Sequence, residues 1–184
     1  MQLPIETDRL RLTEFAESDA EGLYRLRSHP EVARFQGWVP ESLQEAEEYL
    51  EENLAADLEE PGQWFQVAIR SRSGGTLLGD IGLHARDPER GQFEVGFTID
   101  PEQQRRGYGQ EAVRAALGAL FGDLEAHRVI ASVDPRNGAS MALLPKLGFR
   151  KEAHHRRSLW LKGEWVDDVI FALLAEEWRA RRER

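Results

Sequence analysis

Residues 8–15, DRLRLTEF, alternate apolar Leu10 and Leu12 with polar Arg9, Arg11 and Thr13. A period of two sends successive side chains to opposite faces, so this stretch is predicted to be a half-buried strand. The period then lengthens. Ser18 and Asp19 offer an N-cap to a segment in which Leu23, Tyr24 and Leu26 recur at helical spacing, until His29-Pro30 halts it. A second short helix through Phe35 follows. Ser42 with Glu45 three residues on reads as a capping box, and Leu43, Ala46, Tyr49, Leu50 and Leu54 then share one helical face. From 64 to 99 the period of two returns in WFQVAIR, TLLGDIGLH and QFEVGFTI, separated by the turn-forming SRSGG and ARDPERG. These predict an antiparallel meander.

Ala112, Val113, Ala116, Leu117, Leu120 and Phe121 define another helix, and RVIASVD (128–134) is an apolar strand. Strand, helix and strand in succession imply a parallel pairing. ASMALLPKLGF (139–149) predicts a shorter helix that Pro145 should end or kink and Gly148 should cap. Two strands, around 151–162 and 165–174, turn at Lys162-Gly163, and a helix starts near Ala175. The order predicts an α+β fold in one domain spanning 1–184, with a mixed sheet of about seven strands flanked by helices. The sheet is mostly antiparallel with one parallel pair, and there are no repeats or long linkers.

Composition narrows the chemistry. With 41% hydrophobic and 31% charged residues the chain can form a core and lacks the signature of disorder. The apolar run VIFALLA (169–175) is far shorter than the roughly 20 residues a membrane span requires, and MQLPIETDRL is no secretory signal, so a cytoplasmic protein without a membrane partner is expected. Zero cysteines exclude disulfides, thiolate metal sites and a cysteine nucleophile. A net charge of −9 argues against a nucleic-acid partner and suits a cationic one. The basic cluster RARRER (179–184) reads as a solvated helix end.

The most informative stretch is QQRRGYGQEA (103–112), where two arginines and two glycines precede a helix. Amides at a helix N-terminus lack intrahelical partners and carry the positive end of the macrodipole, so they attract phosphate. Gly107 and Gly109 remove β-carbons that would obstruct a ligand lying on the backbone, and Arg105 and Arg106 add charge-assisted donors. A pyrophosphate cradle is the expected role. Gly107, Gly109 and Ala112 also fit the dinucleotide pattern G-x-G-x-x-G/A. That motif needs glycines directly after the strand and an acid about 20 residues later, where this chain has Arg128 and Val129. It is set aside.

In its context Gln104-Arg105-Arg106-Gly107-Tyr108-Gly109 resembles the acyl-CoA signature of the GNAT acetyltransferase superfamily. ETDRLRL, DAEGLYRLRSHPEVARF, FEVGFTIDPEQQRRGYGQEA, Asn137 with Ser140, KLGF and GEWVDDVIF extend the likeness along nearly the whole chain, in order. They resemble the subgroup of ribosomal-protein N-terminal acetyltransferases. The resemblance implies acetyl-CoA in an opening between the strand of Glu94–Ile99 and the strand of Arg128–Val133. Backbone groups of Phe97, Thr98 and Ile99 would pair with the pantetheine arm, and residues Gln104 through Gln110 would surround the diphosphate. Asn137 and Ser140 would contact the cofactor, with Lys146 a weaker contender for a phosphate.

Acetyl transfer needs a neutral amine, hence a base, and a donor for the leaving thiolate. Glu94 alternates with apolar Phe93 and Val95 and is the candidate base; Ser140 is the candidate donor. The chain departs from its relatives at 156–160, where some carry a catalytic acid, and at Leu144, where many carry a tyrosine. His154 and His155 lack further ligands at metal spacing, so no metal is expected. His84 is a contender for the acceptor cleft and Asp167 for a structural hydrogen bond. The expected activity is acetylation of a primary amine, foremost a protein or peptide N-terminus. A small amine (polyamine, antibiotic or amino acid) and a non-catalytic acyl-CoA sensor are the alternatives, and a homodimer is left open.

Overall fold

The alternating segments form one sheet. In the computed structural model, which describes residues 1–54, 56, 58 and 60–182 (for Asn53 the backbone alone), eight strands are present. They are β1 (Ile5–Glu6), β2 (Leu10–Glu14), β3 (Trp64–Ser71), β4 (Leu77–Asp87), β5 (Gln92–Ile99), β6 (Arg128–Val133), β7 (Arg150–Leu161) and β8 (Glu164–Leu174). Their order across the sheet is β1-β2-β3-β4-β5-β6-β8-β7. Every neighbouring pair is antiparallel except β5 and β6. The eighth strand is β1, two residues too short to show a period in sequence; it pairs Ile5 with Leu12.

Among the described residues six α-helices cover the two faces: α1 (Ala20–Ser28), α2 (Pro30–Ala33), α3 (Leu43–Leu54), α4 (Tyr108–Gly122), α5 (Gly138–Leu147) and α6 (Ala175–Arg182). The apolar stripe of α4, from Ala112 to Phe121, packs with inward residues of β2 to β6 and β8, such as Leu12, Ile69, Ile81, Val95, Ala131 and Phe171. Phe121 stacks on Trp178 of α6, with centroids 5.6 Å apart. On the opposite face Leu23 of α1 and Leu50 of α3 close over Ala68 and Phe15. Burying such side chains contributes about 1.5–3 kcal/mol each and fixes the sheet between its helices.

Several local expectations are refined. Asp19 precedes α1 but does not cap it with its side chain. Its carboxylate instead accepts from the Ala16 N–H (2.7 Å) and pairs with Arg70 of β3 (2.5 Å). A salt bridge to the sheet has outcompeted the local cap. Ser42 Oγ accepts from the Glu45 N–H (3.2 Å), but Glu45 returns to the Glu41 N–H (2.9 Å), not to that of Ser42. Pro145 neither ends α5 nor forces its stop: the helix continues to Leu147, and Gly148 closes it with φ +106. So near the C-terminus a proline forfeits only one helical hydrogen bond. Lys162 and Gly163 both adopt positive φ, as a tight hairpin requires. The last two residues of RARRER lie outside the described residues.

The geometry that matters for function is the parallel pair. Gln92, Phe93 and Glu94 pair with Arg128, Val129 and Ile130, and there the pairing stops, although β5 continues to Ile99 and β6 to Val133. On its other side β5 stays paired to β4 throughout, Gly79 lying opposite Ile99. A β-carbon at Gly79 would stand 2.1 Å from the Thr98 carbonyl oxygen, so only glycine lets the two backbones approach there. Gly79→Ala is expected to destabilise the fold by about 3 kcal/mol, as overpacking against backbone does, read as a lower urea midpoint with an unchanged slope.

Candidate active site

Where β5 and β6 part, two cavities open side by side. One, of about 720 Å³, lies between the end of β5 and the starts of α4 and α5. The other, of about 730 Å³, lies over β3 to β6 beneath α3 and the 35–38 segment. Phe35, Gln36, Phe97, Thr98, Asn137 and Ser140 border both, so the cavities meet at these residues.

The first cavity gathers nearly every residue expected to hold a cofactor: Phe97, Thr98, Ile99, Gln104, Arg105, Gly107, Tyr108, Gly109, Gln110, Asn137 and Ser140, with Lys146 beside them. Arg106 is the exception among them, its carbonyl accepting from Arg9 (2.9 Å). Arg105 (φ +60) and Gly107 (φ +84) both adopt left-handed backbone, which turns the chain sharply into α4. The N–H groups of the first turn of α4 have no intrahelical partners and lie at this mouth. Gly109, which borders the cavity, has a packing role as well. A β-carbon there would already touch Ile99 and Leu143 at 3.4 Å, so its smallness permits strand and helix to close together.

The loop is held from a distance. Glu111, in the first turn of α4, accepts from Thr7 Oγ1 (2.6 Å), the Arg9 N–H (2.9 Å) and Arg9 Nε (2.7 Å). The Arg9 guanidinium also lies 4.8 Å from the Tyr108 ring centroid. Burial pushes the Glu111 carboxyl up, but the Thr7 hydroxyl and the Arg9 donors outweigh it and hold it below the ordinary glutamate value. Sequence reading did not mark this clamp, because its partners stand about a hundred residues apart.

Asn137 caps α5, its Oδ1 accepting from the Ser140 N–H (3.2 Å), and borders both cavities as well. Glu94 stands elsewhere: it lines neither cavity, sits at the last paired position of β5, and is bound by Arg86 (2.9 Å). Its Oε2 is 3.7 Å from His84 Nδ1, and the His84 ring stacks on Trp64 with centroids 4.8 Å apart. Asp167 accepts from the Arg157 N–H (2.9 Å) and contacts His154 Nε2 (2.8 Å), tying down the bulge in β7. These contacts, the Arg157 N–H first, hold its carboxyl below the ordinary aspartate value. Among the described residues no group of three or more His, Cys, Asp or Glu could hold a metal ion, and no helix is long and apolar enough to cross a membrane.

The second cavity holds polar residues that sequence reasoning missed. Asp80 of β4 is 1% exposed and accepts from Arg27 of α1 (2.8 and 2.7 Å). Arg27 also donates to Gln36, and Gln36 Nε2 donates to Thr98 Oγ1 (3.1 Å). An aspartate inside the apolar strand TLLGDIGLH was the available signal. Trp38 and Tyr49 stack beside this chain, 4.1 Å between centroids. Burial raises the Tyr49 hydroxyl above its ordinary value, with Arg27 opposing and Asp80 adding. Asp134 borders the same cavity. Burial pushes it up, but the Arg136 side chain and N–H bring it below the ordinary value.

Residues 9–150 match the acetyltransferase (GNAT) domain family, and the chain belongs to that family. It is 32% identical over 172 residues to the uncharacterised N-acetyltransferase YoaA of Bacillus subtilis, covering 92% of this chain and 96% of the relative. Over 96 residues, half of each chain, it is 34% identical to the [ribosomal protein uS5]-alanine N-acetyltransferase of Escherichia coli. Among solved structures, a ribosomal-protein-serine acetyltransferase from Vibrio cholerae superposes with a TM-score of 0.81 at 26% identity, over 94% of this chain and 97% of that one. The protein is thus an N-acetyltransferase of a family that uses acetyl-CoA.

Two substitutions test the first cavity. Gly107→Val introduces a β-branched side chain at φ +84, and calorimetry should register at least a tenfold weaker affinity for CoA, the equivalent of about 1.4 kcal/mol. Glu111→Gln should cost about 1–2 kcal/mol at pH 7. Because the folded-state value is depressed, this stabilisation is present at neutral pH and lost as pH falls through that depressed value. The gap between wild type and variant in urea denaturation should therefore close on acidification below pH ~4.

Proposed function

We propose that the protein acetylates the N-terminal amine of a protein or peptide, with acetyl-CoA in the first cavity and the acceptor in the second. The observation that carries this reading is the meeting of the two cavities at Thr98, Asn137 and Ser140, which brings one ligand's end against the other's. The first cavity fits an acyl-CoA: the edge of Phe97–Ile99 is unpaired towards β6, and a bare, left-handed turn precedes the free amides of α4. The ribosomal-protein acetyltransferases among the relatives favour a peptide terminus over a small amine.

Acetyl-CoA supplies the thioester carbonyl carbon that a neutral amine attacks. The chain's residues do the rest. Strand-edge groups of Phe97–Ile99 bond the amides of the pantetheine arm, and the first turn of α4 with Arg105 and Lys146 faces the diphosphate. Asn137 holds Ser140 in place through its cap. The Ser140 hydroxyl, at the shared boundary, gives a proton to the departing thiolate. Glu94, at the last position of β5 paired with β6 and outside both cavities, takes the amine's proton through a chain of waters, its carboxylate kept in place by Arg86.

Release of free thiol from acetyl-CoA, followed across a panel of peptides and small amines, tests the reading: peptide N-termini should be the best acceptors, and a panel without any thiol release would refute it. Glu94→Gln should lower kcat by about a hundredfold with CoA affinity unchanged, as loss of a general base does. Undiminished kcat would remove Glu94 from that role. Ser140→Ala should lower kcat by about tenfold, and more for acceptors with poor intrinsic reactivity.

A further inference from the structure

The two cavities carry opposite charge. Among the described residues the first is bordered by Arg34, Arg105, Arg136 and Lys146 against the carboxylate of Glu31 alone. The second is bordered by Glu52, Asp80 and Asp134 against the guanidinium of Arg27 alone. Two of these three carboxylates are already matched, Asp80 by Arg27 (2.7 Å) and Asp134 by Arg136 (2.6 Å). Glu52 is exposed and has no ion pair among the described residues. The cleft assigned to a polyanionic cofactor is thus basic, and the one assigned to the acceptor keeps an unspent negative charge.

Helix α3 sharpens the imbalance. It carries Glu45, Glu47, Glu48, Glu51 and Glu52 and no lysine or arginine. Glu51 and Glu52 stand in its last turn, where the negative end of the macrodipole disfavours carboxylates. Helix stability does not account for them, whereas an acceptor that brings positive charge does. Aromatic rings adjoin the same carboxylate. Tyr49 and Glu52 both border the cavity and, three residues apart on α3, share a helical face. The Tyr49 ring stacks on that of Trp38, a further bordering residue, with the planes 14° apart. A carboxylate beside aromatic rings holds a cation twice over, by ion pairing and by the ring quadrupole.

We propose that the acceptor cavity selects peptide N-termini that carry a lysine or arginine within their first three residues, Glu52 pairing with the cationic side chain beside Tyr49 and Trp38. A cavity of about 730 Å³ is roughly 9 Å across, which an extended chain covers in about three residues at 3.3–3.6 Å each. This rests on the acetyl-transfer reading above and deepens it: the reacting amine sits at the seam of the two cavities, and a second positive charge sits at α3.

The test follows thiol release from acetyl-CoA with alanine tetrapeptides bearing lysine, glutamine or glutamate at the second or third position, and with spermidine. At one of the two positions the lysine peptide should exceed its glutamine counterpart in kcat/KM by at least about fivefold, the scale of one ion pair with a cation–π contact, and glutamate should be poorest. Salt of about 1 M, where the screening length is about 3 Å, should shrink that ratio. Glu52→Gln, a change on an exposed helix face, should bring the ratio to about twofold or less through KM for the lysine peptide, and Glu52→Lys should make the glutamate peptide the better acceptor. Equal kcat/KM for lysine and glutamine peptides at both positions, or a ratio unchanged in Glu52→Gln, would overturn the proposal while leaving acetyl transfer intact. Spermidine outrunning every peptide would overturn it in favour of a polyamine acceptor. No thiol release with any of these amines would overturn the transfer reading and this inference with it.

Discussion

The parting of β5 from β6 is the constraint on which the site depends. A parallel pair that stayed zipped would satisfy its own backbone groups and leave nothing for a ligand. Here three registered pairs hold the strands together as far as Glu94 and Ile130, and β4 keeps β5 extended beyond that point. The β6 strand stays paired with β8 through Val133. Each strand is thus rigidly held by its outer neighbour while its inner edge is free, which gives a preorganised slot in place of a flexible loop. The core beneath, with α4 packed across β2 to β6, keeps that slot from collapsing.

A second level of order comes from the N-terminal segment. Thr7 and Arg9 converge on Glu111, and Arg9 reaches the Arg106 carbonyl, so the left-handed turn before α4 is anchored to side chains of the turn between β1 and β2. Left-handed backbone at a non-glycine residue such as Arg105 costs about 1–2 kcal/mol. The clamp offsets that cost and keeps the helix entrance in one conformation.

Much of this was legible in the residues. Periods of two and of 3.6 located the early strands and helices α1, α3 and α4, since amphipathic segments must turn their apolar side to a common core, and cap, proline and turn signals marked most of the rest. The glycine and arginine cluster marked the mouth of the first cavity because backbone access and positive charge have a local signature. What escaped has a shared physical reason. Asp19 left its cap for Arg70, and Glu111 bound residues far upstream. Each outcome depends on a partner brought near only by folding. The second cavity was hidden for the same cause: its polar residues come from α1, β3, β4, β5 and the segment after α2.

The arginine at the heart of that cavity has one last implication. A guanidinium can only donate, so the Gln36 amide must turn its oxygen towards Arg27 and its nitrogen towards Thr98. The threonine oxygen then receives a hydrogen, and its own proton has to point somewhere else. A single donor-only group, 8% exposed, thereby sets the direction of an entire relay and leaves an oriented O–H at the seam between the two chambers. Polarity at the seam is dictated from within the second cavity, by a residue that does not border the first.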